Sequence, residues 1–321
     1  MHLKSENDIL EETLAIAAEG YEKAYRFLME AYEKTPEAYG PQTLYFLACL
    51  AGGAERTEEA LGWLRKAIAD NGWWYRPEVL EDEDLEGLKG NAVFASLKAA
   101  SDARYADALS RAKPLLSWEG KTAENLLLAV HGNTQNGRTA RNDWEPMLAG
   151  NSRWQIETIQ SAEPDGFGTY RWSYDMASFP PVAEAMEKMQ REGYRKIVCG
   201  GFSAGCDMLL RAVAFAPARC DMLLLQSPWL PILRDHGEAL IHALRQKKIA
   251  LRIFCGGEDE DCLPMAQQLY AAAQGEGLDV QLSIQEGCRH QFPPEPDAFE
   301  ELFSTEGWQW GSRGGLSKWV F

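Results

Sequence analysis

Five residues of this 321-residue chain, Gly201-Phe-Ser203-Ala-Gly205, could do nucleophilic chemistry. A serine hydroxyl is a poor nucleophile at neutral pH. It needs a neighbouring base to take its proton and hydrogen-bond donors for the oxyanion that forms on a carbonyl it attacks. The pentapeptide lies between an apolar run, KIVCGG, and a helical pattern beginning at Ala204. On a sharp strand-to-helix turn Ser203 would stand above the sheet edge. Gly201 and Gly205 would remove side chains that collide across the bend, and the backbone N–H of Ala204 at the helix start would face the oxyanion. The alternative is a serine that merely caps the helix. A capping box would then want Glu or Gln at position 206, where the chain has Cys206.

A base and an acid must come from elsewhere. GCRHQFP supplies His290 after a strand-like run, late enough in the chain to follow both serine and acid. His236 and His242 fall in an amphipathic helical pattern and are expected to be solvated, and His2 lies near the N-terminus. His131 precedes the serine in HGNTQNG. It is read as a structural residue of a glycine-containing loop, which would offer the backbone N–H of Asn133 as a second oxyanion donor. The acid comes from GGEDEDCLP, whose consecutive carboxylates admit two turn registers: three residues on from Gly256 is Asp259, and three on from Gly257 is Glu260, with Asp261 next in line. Adjacent loop side chains point in different directions, so only one can face the histidine.

The elements that must position these residues begin after Pro114. Six strand-length apolar runs (ENLLLAVHG, RWQIETIQSA, RKIVCGG, DMLLLQSP, ALRIFCGG, LDVQLSIQEG) alternate with helical patterns such as PVAEAMEKMQREG. That alternation predicts a parallel sheet covered on both faces. Trp172, Tyr174 and Trp229 fall in loops at the carboxyl ends of strands, where open α/β sheets bind ligands, and are the expected substrate-binding residues. Before residue 112 the pattern is helical from residue 8, broken at Gly20, Pro36, Pro41, Gly52 and Gly72. Ala24, Leu28 and Ala31 recur as Ala60, Leu64 and Ala67, a spacing that resembles a short tetratricopeptide-like array of helical hairpins. The acidic stretch at residues 81–90 reads as a solvated turn and helix start.

Composition excludes several classes. Forty-eight acidic against 32 basic side chains give a net charge of −16, which repels phosphate backbones, so no nucleic-acid partner is expected. The N-terminus lacks a signal-peptide pattern and no apolar run reaches a membrane span; the expected location is cytoplasmic. The seven cysteines are an odd number, which suits free thiols in a reducing compartment. Cys255, Cys262, Cys288 and His290 come without a CxxC, so no metal site is expected. The triplet Gly120-Lys121-Thr122 has Leu115 where a phosphate-binding loop needs its first glycine, and Gly166 and Gly168 lack a third.

From about residue 115 to 321 the chain resembles an α/β-hydrolase domain. The likeness rests on HGNTQNG, GFSAG, GGEDEDCLP and GCRHQFP in that order, and is nearest to carboxylesterase and phospholipase-like predicted esterases in the HG loop with downstream Trp144, the YRWSYD segment and GFSAG. The resemblance implies an α/β fold, a mostly parallel sheet covered by helices. It is preceded here by an all-α helical-hairpin domain at residues 1–114, with the catalytic domain at 115–321. It further implies Ser203 as nucleophile, His290 as base and transfer of an acyl group to water without a cofactor. The Gly256 register, continuing Glu-Asp-Cys, resembles esterase sequences and selects Asp259 as acid. Only one candidate strand, near Pro114 to Trp118, precedes the oxyanion-loop strand, a departure from the family. The expected activity is hydrolysis of a small or medium uncharged carboxylic ester. A thioesterase or peptidase would use the same machinery. A reading of a different class is a helical-repeat adaptor with a vestigial hydrolase domain, and a protein partner or self-association through the helical domain is an expectation of either.

Overall fold

The computed structural model describes residues 6–148, 150–292 and 303. The N-terminal third is helical because its apolar residues recur at three and four spacing: α1 (Glu6–Ala17), α2 (Tyr21–Lys34), α3 (Pro41–Gly53), α4 (Thr57–Arg65) and α5 (Ala92–Arg111), joined by short 3-10 and π turns. Pro41 opens α3, where a missing N–H costs nothing. The sequence echo lies inward except at Ala31, which is half-buried: Ala24 and Leu28 on α2, Ala60 and Leu64 on α4 and Ala67 just beyond it are buried in one core with Leu44 and Leu47 of α3. The acidic stretch is less solvated than its composition suggests. It forms a 3-10 turn, Glu83–Leu88, whose Leu85 and Leu88 are buried, while Asp82 and Asp84 accept hydrogen bonds from Tyr45 and Tyr21 at 2.6 and 2.7 Å. A Cβ at Gly52 would stand 2.2 Å from the Asp84 carbonyl oxygen, so glycine lets this turn sit directly on α3.

All six apolar runs are strands. A seven-stranded sheet is built from β1 (Leu115–Leu116), β2 (Asn125–Val130), β3 (Trp154–Gln160), β6 (Ile197–Phe202), β7 (Met222–Gln226), β8 (Ala250–Gly256) and β9 (Val280–Gln285), in the order β1-β3-β2-β6-β7-β8-β9. Only β1, two residues long, runs antiparallel to its neighbour. Every residue of β2, β6, β7 and β8 is buried, as a parallel strand covered on both faces requires. One face is covered by α7 (Pro180–Arg191), α8 (Ala204–Phe215), α9 (Pro231–Lys247) and α10 (Leu263–Gly275). The other carries α6 (Gly137–Trp144) and Phe303. The edge strand β9 is half exposed.

A second, two-stranded sheet escaped the sequence reading. The hairpin of β4 (Glu163–Gly166) and β5 (Thr169–Arg171) is too short for a periodic signal, and its tip is the pair of glycines read only as a failed nucleotide motif. It ties the helical region to the sheet. Asp165 accepts from the Arg76 backbone and side chain at 2.9 Å each, Phe167 stacks on Trp73 at 6.3 Å, and Tyr75 bridges Gly166. Tyr170 N–H donates to the Gln135 carbonyl at 2.7 Å, linking the hairpin to the loop after β2.

Candidate active site

Ser203 occupies the junction of β6 and α8 at φ 50°, ψ −121°, a conformation strained for a residue with a Cβ. It stands at the helix N-cap position, yet its side chain makes no capping hydrogen bond, which removes the capping alternative. The turn is over-determined by its surroundings. The Ser203 N–H donates to the Gln226 carbonyl at 3.1 Å, its carbonyl accepts from Cys206 and Trp229, and α8 is buried from Ala204 to Val213. The flanking glycines are required by contact. A Cβ at Gly205 would stand 2.6 Å from the carbonyl oxygens of both Val130 and His131, and one at Gly201 would stand 2.8 Å from the Cys206 nitrogen. Gly205→Ala therefore pushes α8 off the end of β2; a loss of about 1–3 kcal/mol is expected, measurable by denaturant unfolding.

The loop after β2 passes against this turn. A Cβ at Gly132 would meet Phe202 at 2.9 Å and the Ser203 Cβ at 3.2 Å, so the backbone of Gly132 runs beside the serine. Gly132 N–H is taken by Gln135 Oε1 at 2.8 Å. His131 is fully buried: its Nε2 accepts from the Ser161 N–H at 3.1 Å, which leaves the proton on Nδ1 to donate to the Gly132 carbonyl. Burial holds its pKa down at about 4, so the ring is neutral and tied into the loop. The Asn133 side chain reaches across, accepting from Trp172 N–H at 2.8 Å and donating to the Tyr174 hydroxyl at 3.1 Å.

Of the three aromatic residues expected to meet substrate, Trp172 is placed differently. It is 1% exposed, stacks on His131 at 5.0 Å and donates to the His131 carbonyl at 2.8 Å, so it braces the loop from behind. An indole that finds both an apolar bed and an acceptor leaves the surface. Tyr174 is exposed and Trp229 half-buried, the latter's N–H on the Ser203 carbonyl.

Asp259 and His290 are brought together: Nδ1 lies 2.9 Å from Asp259 Oδ2. The acidic run sorts by burial, since Asp259 is 4% exposed while Glu258, Glu260 and Asp261 all face solvent. Gly256 sets this register. A Cβ there would stand 2.3 and 2.4 Å from the carbonyls of Cys288 and Arg289, so glycine allows the histidine loop to lie on the end of β8. Burial works to raise the Asp259 pKa, but the His290 hydrogen bond and charge, the Cys262 N–H (3.1 Å) and the Ser227 hydroxyl hold it below the ordinary carboxylate value. Ser227, at φ 44° after β7, carried no sequence signal. The His290 ring lies 5.0 Å from the ring of Phe202, the residue before the serine. Cys262 Sγ lies 3.5 Å from His290 Nδ1, a neighbour the search for a CxxC could not reveal.

The N-terminal helix reaches this site. Asn7 Nδ2 donates to the His290 carbonyl at 3.3 Å, and Glu11 lies one turn further along α1 on the same face. Burial pushes the Glu11 carboxyl up, Asp259 and Asp8 add to the push, and His290 and Arg289 oppose it. Asp8 in turn acts on Asp143 of α6, whose pKa burial, with Asp8 second, raises from 3.8 to about 7. A carboxyl with a raised folded pKa binds its proton more tightly in the folded state, so its stability contribution falls as pH climbs from about 4 to about 7 and stays low above. At about 1.4 kcal/mol per unit the deficit is ~4 kcal/mol at most. Asp143→Asn is expected to raise the thermal midpoint by several degrees at pH 8 and progressively less toward pH 4.

Residues 5–109 match the family model described as A/B hydrolase-like, N-terminal domain. No curated protein matches the chain. Among solved structures, an uncharacterized protein from Bacillus cereus is 24% identical over 93% of this chain and 96% of its own, with a TM-score of 0.48. Esterase PE8 is 14% identical over 60% and 95%, with a TM-score of 0.47. Acyl-protein thioesterase 2 of Zea mays is 16% identical over 60% and 97%, with a TM-score of 0.41. Among the described residues no helix is long and apolar enough to cross a membrane. With a mostly parallel sheet covered on both faces and a serine in the strained turn between central strand and helix, the chain has an α/β architecture of the α/β-hydrolase kind, and its N-terminal region matches the domain that precedes such folds.

Proposed function

We propose that this protein is a serine hydrolase that cleaves a carboxylic ester through an acyl-enzyme. The observation that carries the reading is the strained, uncapped Ser203 at the β6–α8 turn. The Asp259–His290 pair supports it from the ends of β8 and β9. In the proposed cycle His290 Nε2 takes the serine proton as Ser203 attacks the ester carbonyl. The N–H groups of Asn133 and Ala204 hold the oxyanion, and the leaving alcohol receives the proton from His290. Water then repeats the sequence on the acyl-enzyme. Asp259 stays ionised throughout, keeps the Nδ1 proton of the neutral ring and stabilises the imidazolium that forms.

Tyr174 and Trp229 are the proposed substrate contacts. Asp259 and Asp8, both acting on Glu11 beside His290, outnumber Arg289 there, which disfavours anionic esters and suits uncharged ones. The helical region, proposed as a domain ending near residue 114, shapes access through α1. Seven free cysteines fit a reducing compartment such as the cytoplasm. The test is a panel of matched p-nitrophenyl esters, thioesters and anilides with pre-steady-state readout. A burst approaching one equivalent of alcohol per chain on an uncharged ester supports the reading. Turnover confined to thioesters or anilides, or none on any of the three, overturns it.

A further inference from the structure

The side chains of Asp259, Cys262 and His290 converge more closely than a triad needs. Their donor atoms all lie within 4.8 Å of one another, with Oδ2 at 2.9 Å and Sγ at 3.5 Å from the same ring nitrogen, Nδ1. A tetrahedral zinc ion with bonds of about 2.0–2.3 Å to nitrogen, oxygen and sulfur places its ligands roughly 3.3–3.6 Å apart. The two separations from Nδ1 lie within half an ångström of that range, and the third stays within 4.8 Å, so small side-chain shifts let the three donors share one ion. Cys255 Sγ, 3.8 Å from Asp259 Oδ2, stands next to the set. The His290 side chain keeps 29% of its surface in solvent, which gives an ion a way in, whereas Asp259 and Cys262 are buried.

We propose that Asp259, Cys262 and His290 form an inhibitory site for a thiophilic divalent cation of the zinc class. Such an ion takes the position of the Nδ1 proton. Cys262 releases its thiol proton to solvent, and the ring proton moves from Nδ1 to Nε2, so one proton leaves per ion bound. The lone pair on Nε2 is then occupied by a proton, and the ring has nothing with which to accept one from Ser203. The ion is not a cofactor: it competes with the hydrogen bond that orients the base. Inhibition rests on His290 acting as that base, whereas binding does not.

Binding and inhibition are therefore read separately on the full chain. Cadmium, which reports thiolate ligation by an ultraviolet charge-transfer band, is titrated into the wild type, Cys262→Ala, the size-conserving Cys262→Ser, and, as a control, Cys220→Ser, whose thiol lies against that of Cys199. One equivalent is expected in the wild type and in Cys220→Ser, with affinity weakened on the order of 100-fold in both Cys262 variants. Zinc then inhibits ester hydrolysis in wild type and Cys220→Ser, reversibly by chelator. The Cys262 variants, each compared with its own chelator-treated rate, need on the order of 100-fold more zinc. A band that survives both Cys262 changes, or disappears in Cys220→Ser, overturns the site. Stoichiometric binding that leaves hydrolysis intact overturns the inhibitory role. Should no hydrolysis be found under any condition, the failure belongs to the esterase reading, and the cadmium titration still decides the site.

Discussion

Ser203→Ala is expected to lower turnover of a small uncharged ester on the order of 10⁴-fold or more, with KM little changed, because in the proposed cycle the hydroxyl is the bond-forming atom and not a binding contact. The residual rate comes from the oxyanion donors and substrate binding. The alanine must adopt φ 50°, ψ −121°, no harder for it than for serine, so the variant folds. Its unfolding midpoint beside wild type separates lost chemistry from lost structure. A variant that keeps near-normal turnover would remove Ser203 from the mechanism.

Asp259→Asn is expected to cost about 10⁴-fold in turnover, by the same logic as in other triads. An amide NH₂ facing Nδ1 forces that nitrogen to accept, moves the ring proton to Nε2 and leaves no lone pair for the serine. The exposed neighbours separate this effect from general loss of charge: Glu260→Gln and Asp261→Asn should stay close to wild type, since neither side chain is buried against the histidine. Kinetics of the three amide variants on one ester check the register. A large loss at position 260 or 261 with Asp259→Asn near normal would show that the carboxylate facing His290 in solution is a different one.

How much of this was legible in the chain depended on distance along it. The six apolar runs were readable because a doubly covered parallel strand needs unbroken hydrophobic sequence, as in Leu126 to Val130. GFSAG was readable because its glycines answer a local steric demand, now seen as the 2.6 Å approach to Val130 and His131 at Gly205. The acid was not settled by its own residues. Two registers fit the run, and the choice of Asp259 needed a resemblance; burial of one carboxylate among exposed neighbours is a tertiary property. The role of α1 was wholly hidden. Asn7 meets His290 across 283 residues, and nothing in an amphipathic N-terminal helix announces what it will touch. Trp172 was misplaced for the same reason: its position after β5 suggested a loop at the site, but the carbonyl of His131 supplied a buried acceptor for its indole. Ser227 and Cys262, neighbours of Asp259 and His290, carry no motif at all.

In the proposed mechanism this geometry activates one serine. Treating the wild-type chain with a fluorophosphonate and mapping the modified peptide tests that activation. One adduct per chain is expected, on Ser203, formed rapidly in wild type and much more slowly in Asp259→Asn. An adduct on any other serine, or none on a folded chain, would contradict it.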